Sequence, residues 1–216
     1  MKNKTTILFD FDGTLFDSKI GILNAVKYAM TLEGVTVFDD DILESFIGPP
    51  LHYSFQKHYN ISDERLDEIV VIFREYYAKQ GYRETAVYPG VVEMLDKLKS
   101  QGKTLAIATA KPTKYAKQIL DIFKMTHYFD SIQGSLTKGE LFPKDRIIGT
   151  VIKELDLFDT EDCVMIGDTI YDIKGAQAHN MRTIGVTYGY GKEKDLRDAS
   201  ATKIVHSVEE LKDILV

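Results

Sequence analysis

Ile7-Leu8-Phe9-Asp10-Phe11-Asp12-Gly13-Thr14-Leu15 places two carboxylates, two residues apart, at the end of an apolar run. Read as an extended strand, it aims Asp10 and Asp12 to the same side at its C-terminal edge. Two like charges so close repel, by about 4 kcal/mol at ~4 Å with an effective dielectric near 20. A metal ion, a shared proton or a cationic neighbour has to compensate. Asp-Gly is also a common turn pair and Asp a common helix cap, so the remainder of the chain decides between chemistry and a turn.

Working outward, short apolar runs rich in β-branched residues recur at Thr5–Phe9, Thr104–Ala108, Ser131–Gln133, Cys163–Ile166, Thr183–Val186 and Lys203–Val205. Helical spacing of apolar residues fills most of the intervals, as in Val91, Met94, Leu95 and Leu98, or Ile147, Ile148, Val151 and Ile152. Such alternation predicts an α/β chain with a mainly parallel sheet, whose active edge lies at the strand C-termini. One interval breaks the pattern. Between the first strand and Thr104 the chain reads as helices only, at Ile20–Leu32, Asp40–Phe46, Leu51–His58 and Ser62–Gln80, until Pro89-Gly90 marks the return to the sheet. The expectation is a core of residues 1–16 and 89–216 with a helical lobe, 17–88, inserted after the first strand.

Composition excludes several classes. The 216 residues, 44% hydrophobic and 28% charged, suit one buried core with a modest second lobe. No run approaches the roughly 18 apolar residues of a spanning helix. The few apolar residues before Asp10 are too short for a signal peptide's apolar region, so a cytoplasmic protein is expected. Cys163, the single cysteine, lies in the apolar run Cys163-Val164-Met165-Ile166 and reads as a buried small hydrophobe. A net charge of −6 argues against nucleic acid as a partner. Lys111, Lys114 and Lys117 cluster near one helix start, where at least the last two read as a solvated face. Sequons at Asn3 and Asn60 carry no meaning in a protein that is not secreted.

Later strand ends supply polar residues of the right kind. Thr109 follows Leu105-Ala106-Ile107-Ala108 and precedes Ala110, Lys111 and Pro112, where a hydroxyl and free N–H groups at a helix N-terminus can hold phosphoryl oxygens. Gly167-Asp168-Thr169-Ile170-Tyr171-Asp172 is a second carboxylate-bearing strand-to-helix turn, and spacing by four puts Asp168 and Asp172 on one side of it. Lys144 opens the helix that starts near Pro143 and offers a fixed cation. Gly185, Gly189 and Gly191 around Tyr188 and Tyr190 read as a loop after a strand, without the spacing of a dinucleotide fingerprint.

The ordered set Asp10, Asp12, Thr109, Lys144, Asp168 and Asp172 resembles the haloacid dehalogenase superfamily of phosphohydrolases, across the whole chain. Its first motif, Asp10-Phe11-Asp12-Gly13-Thr14-Leu15-Phe16-Asp17-Ser18, is highly specific, and Phe46-Ile47-Gly48-Pro49-Pro50-Leu51 is similar to bacterial phosphoglycolate phosphatases. The resemblance implies a three-layer, Rossmann-like core with an all-helical cap. It implies Asp10 as nucleophile, Asp12 as acid and base, Thr109 and Lys144 as phosphoryl contacts, and Asp172 as a support for Lys144 or a metal-bound water. Mg²⁺ would be held by the Asp10 carboxylate, the Asp12 backbone carbonyl and Asp168. Ala110 is carried over as a substrate-binding position, although relatives often have Asn there, so a side-chain contact is missing. Asp12 also points away from dehalogenases, which lack that carboxylate, and from transport ATPases, which have Lys.

A substrate contact from the cap is expected at the Gly48-Pro49-Pro50 loop, where Gly48 allows close approach or simply breaks a helix, and at nearby His52. His52, His58 and Arg83 otherwise read as surface or packing residues. The implied activity is Mg²⁺-dependent hydrolysis of a small phosphorylated metabolite, phosphoglycolate first. Alternatives are a nucleotidase or pyrophosphatase, a β-phosphoglucomutase-like phosphotransferase, and a phosphoryl-binding regulatory module without turnover. A monomer or weak homodimer with no membrane partner is expected.

Overall fold

The computed structural model describes residues 6–48, 51–59, 61–135 and 143–216. In chain order its first elements are β1 (Thr6–Phe9), β2 (Phe16–Asp17), α1 (Lys19–Leu32), α2 (Asp40–Glu44), α3 (Leu51–His58), α4 (Asp63–Lys79) and β3 (Ala86–Val87). There follow α5 (Val91–Ser100), β4 (Thr104–Pro112), α6 (Thr113–Ile122), β5 (Ser131–Ser135), α7 (Lys144–Glu154) and β6 (Cys163–Gly167). The chain closes with α8 (Ile170–Gln177), β7 (Arg182–Val186), α9 (Glu193–Asp198), β8 (Lys203–Val205) and α10 (Val208–Leu215). It divides into two compact units, one running to Asp17 and resuming at Val87, the other spanning Ser18–Ala86.

In the first unit, six strands of the described residues form one sheet in the order β5-β4-β1-β6-β7-β8. Every pairing in it is parallel. β1 is central and buried on both faces, as the unbroken apolar run Ile7-Leu8-Phe9 requires. Alternate residues serve opposite layers. Leu8, Ala106, Ala108, Cys163 and Met165 pack with Ile147, Ile148 and Val151 of α7, and α7 lies against α8. On the opposite layer α5 lies against α10. From β1 the chain builds outward through β4 and β5, then crosses back to β6 on the other side of β1. The strand order therefore switches at β1, and a crevice is expected at the C-terminal ends of β4, β1 and β6.

The second unit is helical. α1 packs along α4, and the approach of α1 to the turn Gly81–Arg83 requires glycine, because a Cβ on Gly21 would stand 2.0 Å from the Gly81 carbonyl oxygen. Glu84 ties its end together, accepting from Asn24 at 3.0 Å and from Tyr76 at 3.1 Å. Asp39 caps α2 by accepting from the N–H groups of Asp41 and Ile42. No helix of the described residues is long and apolar enough to cross a membrane.

Candidate active site

β1 ends in a turn that fixes both of its carboxylates. Asp10 continues the ladder by donating its N–H to Ile166 O at 2.8 Å. The chain then folds back: the Phe11 carbonyl accepts from Leu15 and Phe16, and Phe11 stacks on Phe16 at 4.3 Å between ring centroids. Gly13 has φ 78°, and a Cβ there would lie 2.3 Å from Asp168 Oδ2. Asp10 is left buried. Asp12 keeps about a quarter of its side chain exposed and meets Lys111, whose Nζ donates to its two oxygens at 2.9 and 2.8 Å.

Lys144, first residue of α7, reaches in from the opposite side. Its Nζ lies 2.8 Å from Asp10 Oδ1 and 2.6 Å from Asp172 Oδ1, and donates to Ala108 O at 3.0 Å. Glycine at 175 makes room for it, since a Cβ would come within 2.8 Å of Lys144 Cγ. Asp172 uses its other oxygen to accept from Thr169 N at 3.0 Å and Thr169 Oγ1 at 2.8 Å, forming the capping box of α8. Asp168 accepts at Oδ2 from Tyr190 N at 2.8 Å and more weakly from Gly191 N at 3.4 Å.

Asp10, Asp168 and Asp172 each bring an oxygen within 4.8 Å of the others, and all are buried. Burial first, then the charge of Asp172, pushes the Asp10 carboxyl up to about 6 against the pull of Lys144. Burial and the same neighbouring carboxylates hold Asp168 well above the ordinary carboxylate range. Desolvation works against a charge on Lys144, yet Asp10 and Asp172 outweigh it and keep its ammonium above the ordinary lysine range. Among the described residues, Asp10 Oδ1 and Asp172 Oδ1 pair with that ammonium, whereas Asp168 Oδ1 is buried without a hydrogen-bond partner. Three clustered buried carboxylates, one of them with an oxygen lacking a hydrogen-bond partner among the described residues, fit a hard divalent cation, which takes oxygen ligands.

The model of the haloacid dehalogenase-like hydrolases matches residues 7–186. The chain belongs to this family. Among similar proteins is a 5'-nucleotidase of Pseudomonas aeruginosa, 36% identical over 97% of this chain and 94% of the relative. The tyrosine-protein kinase PtkA of Mycobacterium tuberculosis is 31% identical over 97% of this chain and 72% of its own length. A phosphoglycolate phosphatase of Psychrobacter arcticus is 30% identical over 99% of this chain and 96% of the relative. A predicted phosphatase from Clostridium acetobutylicum has a solved structure that superposes with a TM-score of 0.89 at 42% identity, over 97% of this chain and 96% of that one. The chain is a phosphatase of the haloacid dehalogenase type.

Within this haloacid dehalogenase-like core, Asp10, Lys144, Asp168 and Asp172 meet in one cluster, while Asp12 is drawn to Lys111. Thr109 is buried, but not at a helix N-terminus as its sequence context suggested: β4 runs on through Pro112 and α6 begins at Thr113. Its hydroxyl instead accepts from Lys111 N at 3.1 Å. Ala110 is exposed. Gly48, with φ 103°, belongs to the helical unit, and Pro49 and Pro50 lie outside the described residues, as do Asn3 and Asn60. In that unit His52 pairs with Asp67 at 2.9 Å, His58 with Ser45 at 2.8 Å, and Arg83 donates to Tyr82 at 3.0 Å.

Two contributions went unread in the sequence. Lys114 and Lys117 are exposed on α6 as expected, but Lys111 sits on β4 and is buried. The glycine-tyrosine stretch is more than a loop after a strand: Gly185 belongs to β7, and a Cβ on Gly189 or Gly191 would come within 2.6 or 1.7 Å of Asp168 atoms. The signal available was the spacing of small residues opposite a carboxylate turn, and it needs the strand order to be interpreted.

Proposed function

We propose that the chain is a Mg²⁺-dependent phosphomonoesterase that works through a phosphoryl group carried on Asp10, with phosphoglycolate as first candidate substrate. The observation that carries this reading is the buried cluster of Asp10, Asp168 and Asp172, with Lys144 paired to Asp10 and Asp172 and Asp168 Oδ1 without a hydrogen-bond partner among the described residues. The Asp10 carboxylate, the Asp12 backbone carbonyl and Asp168 would hold Mg²⁺. When bound, the ion would screen the repulsion between Asp10 and a phosphate dianion.

Asp10 attacks phosphorus in line as the bond to the leaving oxygen breaks. Asp12 gives its proton to that oxygen. It then takes one from the water that attacks the same phosphorus, which releases phosphate and restores the Asp10 carboxylate. Lys144 orients Asp10 and neutralises part of the charge on the transferring group, and Thr109 offers a hydroxyl to it. Asp172, both oxygens engaged by Lys144 and Thr169, holds Lys144 in place. Ala110 contributes backbone only, and Gly48 is a candidate contact from the helical unit.

A 5'-nucleotide is the second substrate class, favoured by the relative of that name at 36% identity. Transfer to an acceptor other than water is a third outcome, matching the kinase among the relatives. The net charge of −6 favours a small phosphorylated metabolite over nucleic acid. A panel of phosphometabolites, assayed by phosphate release with Mg²⁺ and with EDTA, tests the reading. Metal-dependent release led by phosphoglycolate supports it, nucleotides leading would change the substrate class, and activity indifferent to EDTA would remove the metal assignment.

A further inference from the structure

Lys111 is the one buried ammonium near the sheet edge that the reaction above leaves without a task, among the described residues. Three features build its position. β4 continues four residues beyond the strand end expected from its apolar run, with a register break between Thr109 and Pro112. Gly134 on β5 accommodates that break, because a Cβ there would stand 2.2 Å from the Lys111 carbonyl oxygen. Thr109 Oγ1 accepts from the Lys111 N–H at 3.1 Å, so the backbone is held from both sides.

From this anchor the side chain passes the Phe11 ring, with Nζ 5.6 Å from its centroid, and donates to both oxygens of Asp12. The lysine side chain is 3% exposed and that of Asp12 23% exposed. One partner is therefore fixed in the protein and the other faces solvent, where a leaving group departs. A carboxyl gripped at both oxygens by one buried ammonium has its rotation restricted, and its partly exposed side sets the direction in which it meets a substrate. We infer that Lys111 is a positioning residue for the proton-transfer group, holding the Asp12 carboxyl in the orientation from which it meets the leaving oxygen. Without the ammonium, the Asp12 carboxyl loses this hold on its orientation.

The inference rests on Asp12 acting as the acid, and the experiment separates the two. kcat/KM covers the steps up to leaving-group departure, so it is compared for glycerol 2-phosphate, whose alkoxide needs a proton, and p-nitrophenyl phosphate, whose phenolate needs it far less. Asp12→Asn should lower the first on the order of 10²-fold or more, the usual worth of general acid catalysis, and the second much less. Lys111→Met keeps the stem against Phe11 and should show the same selective loss, with Lys111→Arg recovering much of it. A structural lysine would lower both substrates alike, which overturns the inference while leaving Asp12 its role. Asp12→Asn without selectivity overturns the acid assignment and the inference with it. Should Lys111→Met lack the native circular dichroism, Lys111→Gln replaces it, and failure of both to fold would overturn the inference by placing the lysine in the fold alone.

Discussion

Lys144 is the residue whose removal separates the two roles of charge in this site. It lies between Asp10 and Asp172, and its own burial is tolerable only because both carboxylates face it. Lys144→Met would leave two carboxylates facing each other without their cation. Breaking a buried pair in this way typically removes about 3–5 kcal/mol. Urea denaturation should therefore show a lowered midpoint at unchanged slope, with loss of turnover in the protein that remains folded; an unchanged midpoint would mean that the pair does not hold the edge together. Asp10 and Asp12 show why two neighbouring carboxylates need separate cations. Each has its own lysine, from α7 and from β4, and the repulsion legible in Asp10-Phe11-Asp12 is met by Lys144 and Lys111.

At the scale of elements, the loop from β7 to α9 is what aims Asp168. Tyr190 and Gly191 donate to its Oδ2, while Oδ1 is buried without a hydrogen-bond partner among the described residues. Gly191→Ala would put a Cβ 1.7 Å from the Asp168 carbonyl oxygen, so the loop has to move. Titration calorimetry should then show Mg²⁺ binding weakened by roughly tenfold or more, the usual effect of disturbing a group that orients a ligand. Binding equal to the parent would show that the loop does not aim Asp168. The six strands of the sheet and most helices were legible, because each carries a periodic apolar pattern strong enough to be read locally. α9 was not, since Leu196 alone is buried in it, and β2 and β3, two residues each, are too short to alternate. The site was legible where a motif is contiguous, as in Asp10-Phe11-Asp12 and Gly167-Asp168-Thr169. It was illegible where β4 runs past its apolar segment and carries Lys111 into the core, because register against Gly134 decides that and no local pattern reports it.

For the whole molecule, the acidic cluster sets how stability responds to pH. The Asp10 carboxyl rises from 3.8 to about 6 on folding, and Asp168 is raised as well. Between these values the folded chain binds more protons than the unfolded one, so stability without metal falls as pH rises through about 4 to 6. Mg²⁺ binds the ionised cluster and should reverse that loss at neutral pH, by about 2.7 kcal/mol at a hundredfold excess over Kd. Thermal melting in EDTA and in Mg²⁺, with Asp168→Asn to isolate the cluster, checks both signs; a melting temperature indifferent to Mg²⁺ at pH 7 would contradict the metal fit. In the proposed reaction Asp10 carries the phosphoryl group, and every later step passes through it. Acid-quenching the enzyme during turnover of a phosphomonoester and mapping the adduct by mass spectrometry should find a hydroxylamine-labile phosphoryl group on Asp10, with neither adduct nor turnover in Asp10→Asn. Turnover that persists in Asp10→Asn, or an adduct on another residue, would contradict it.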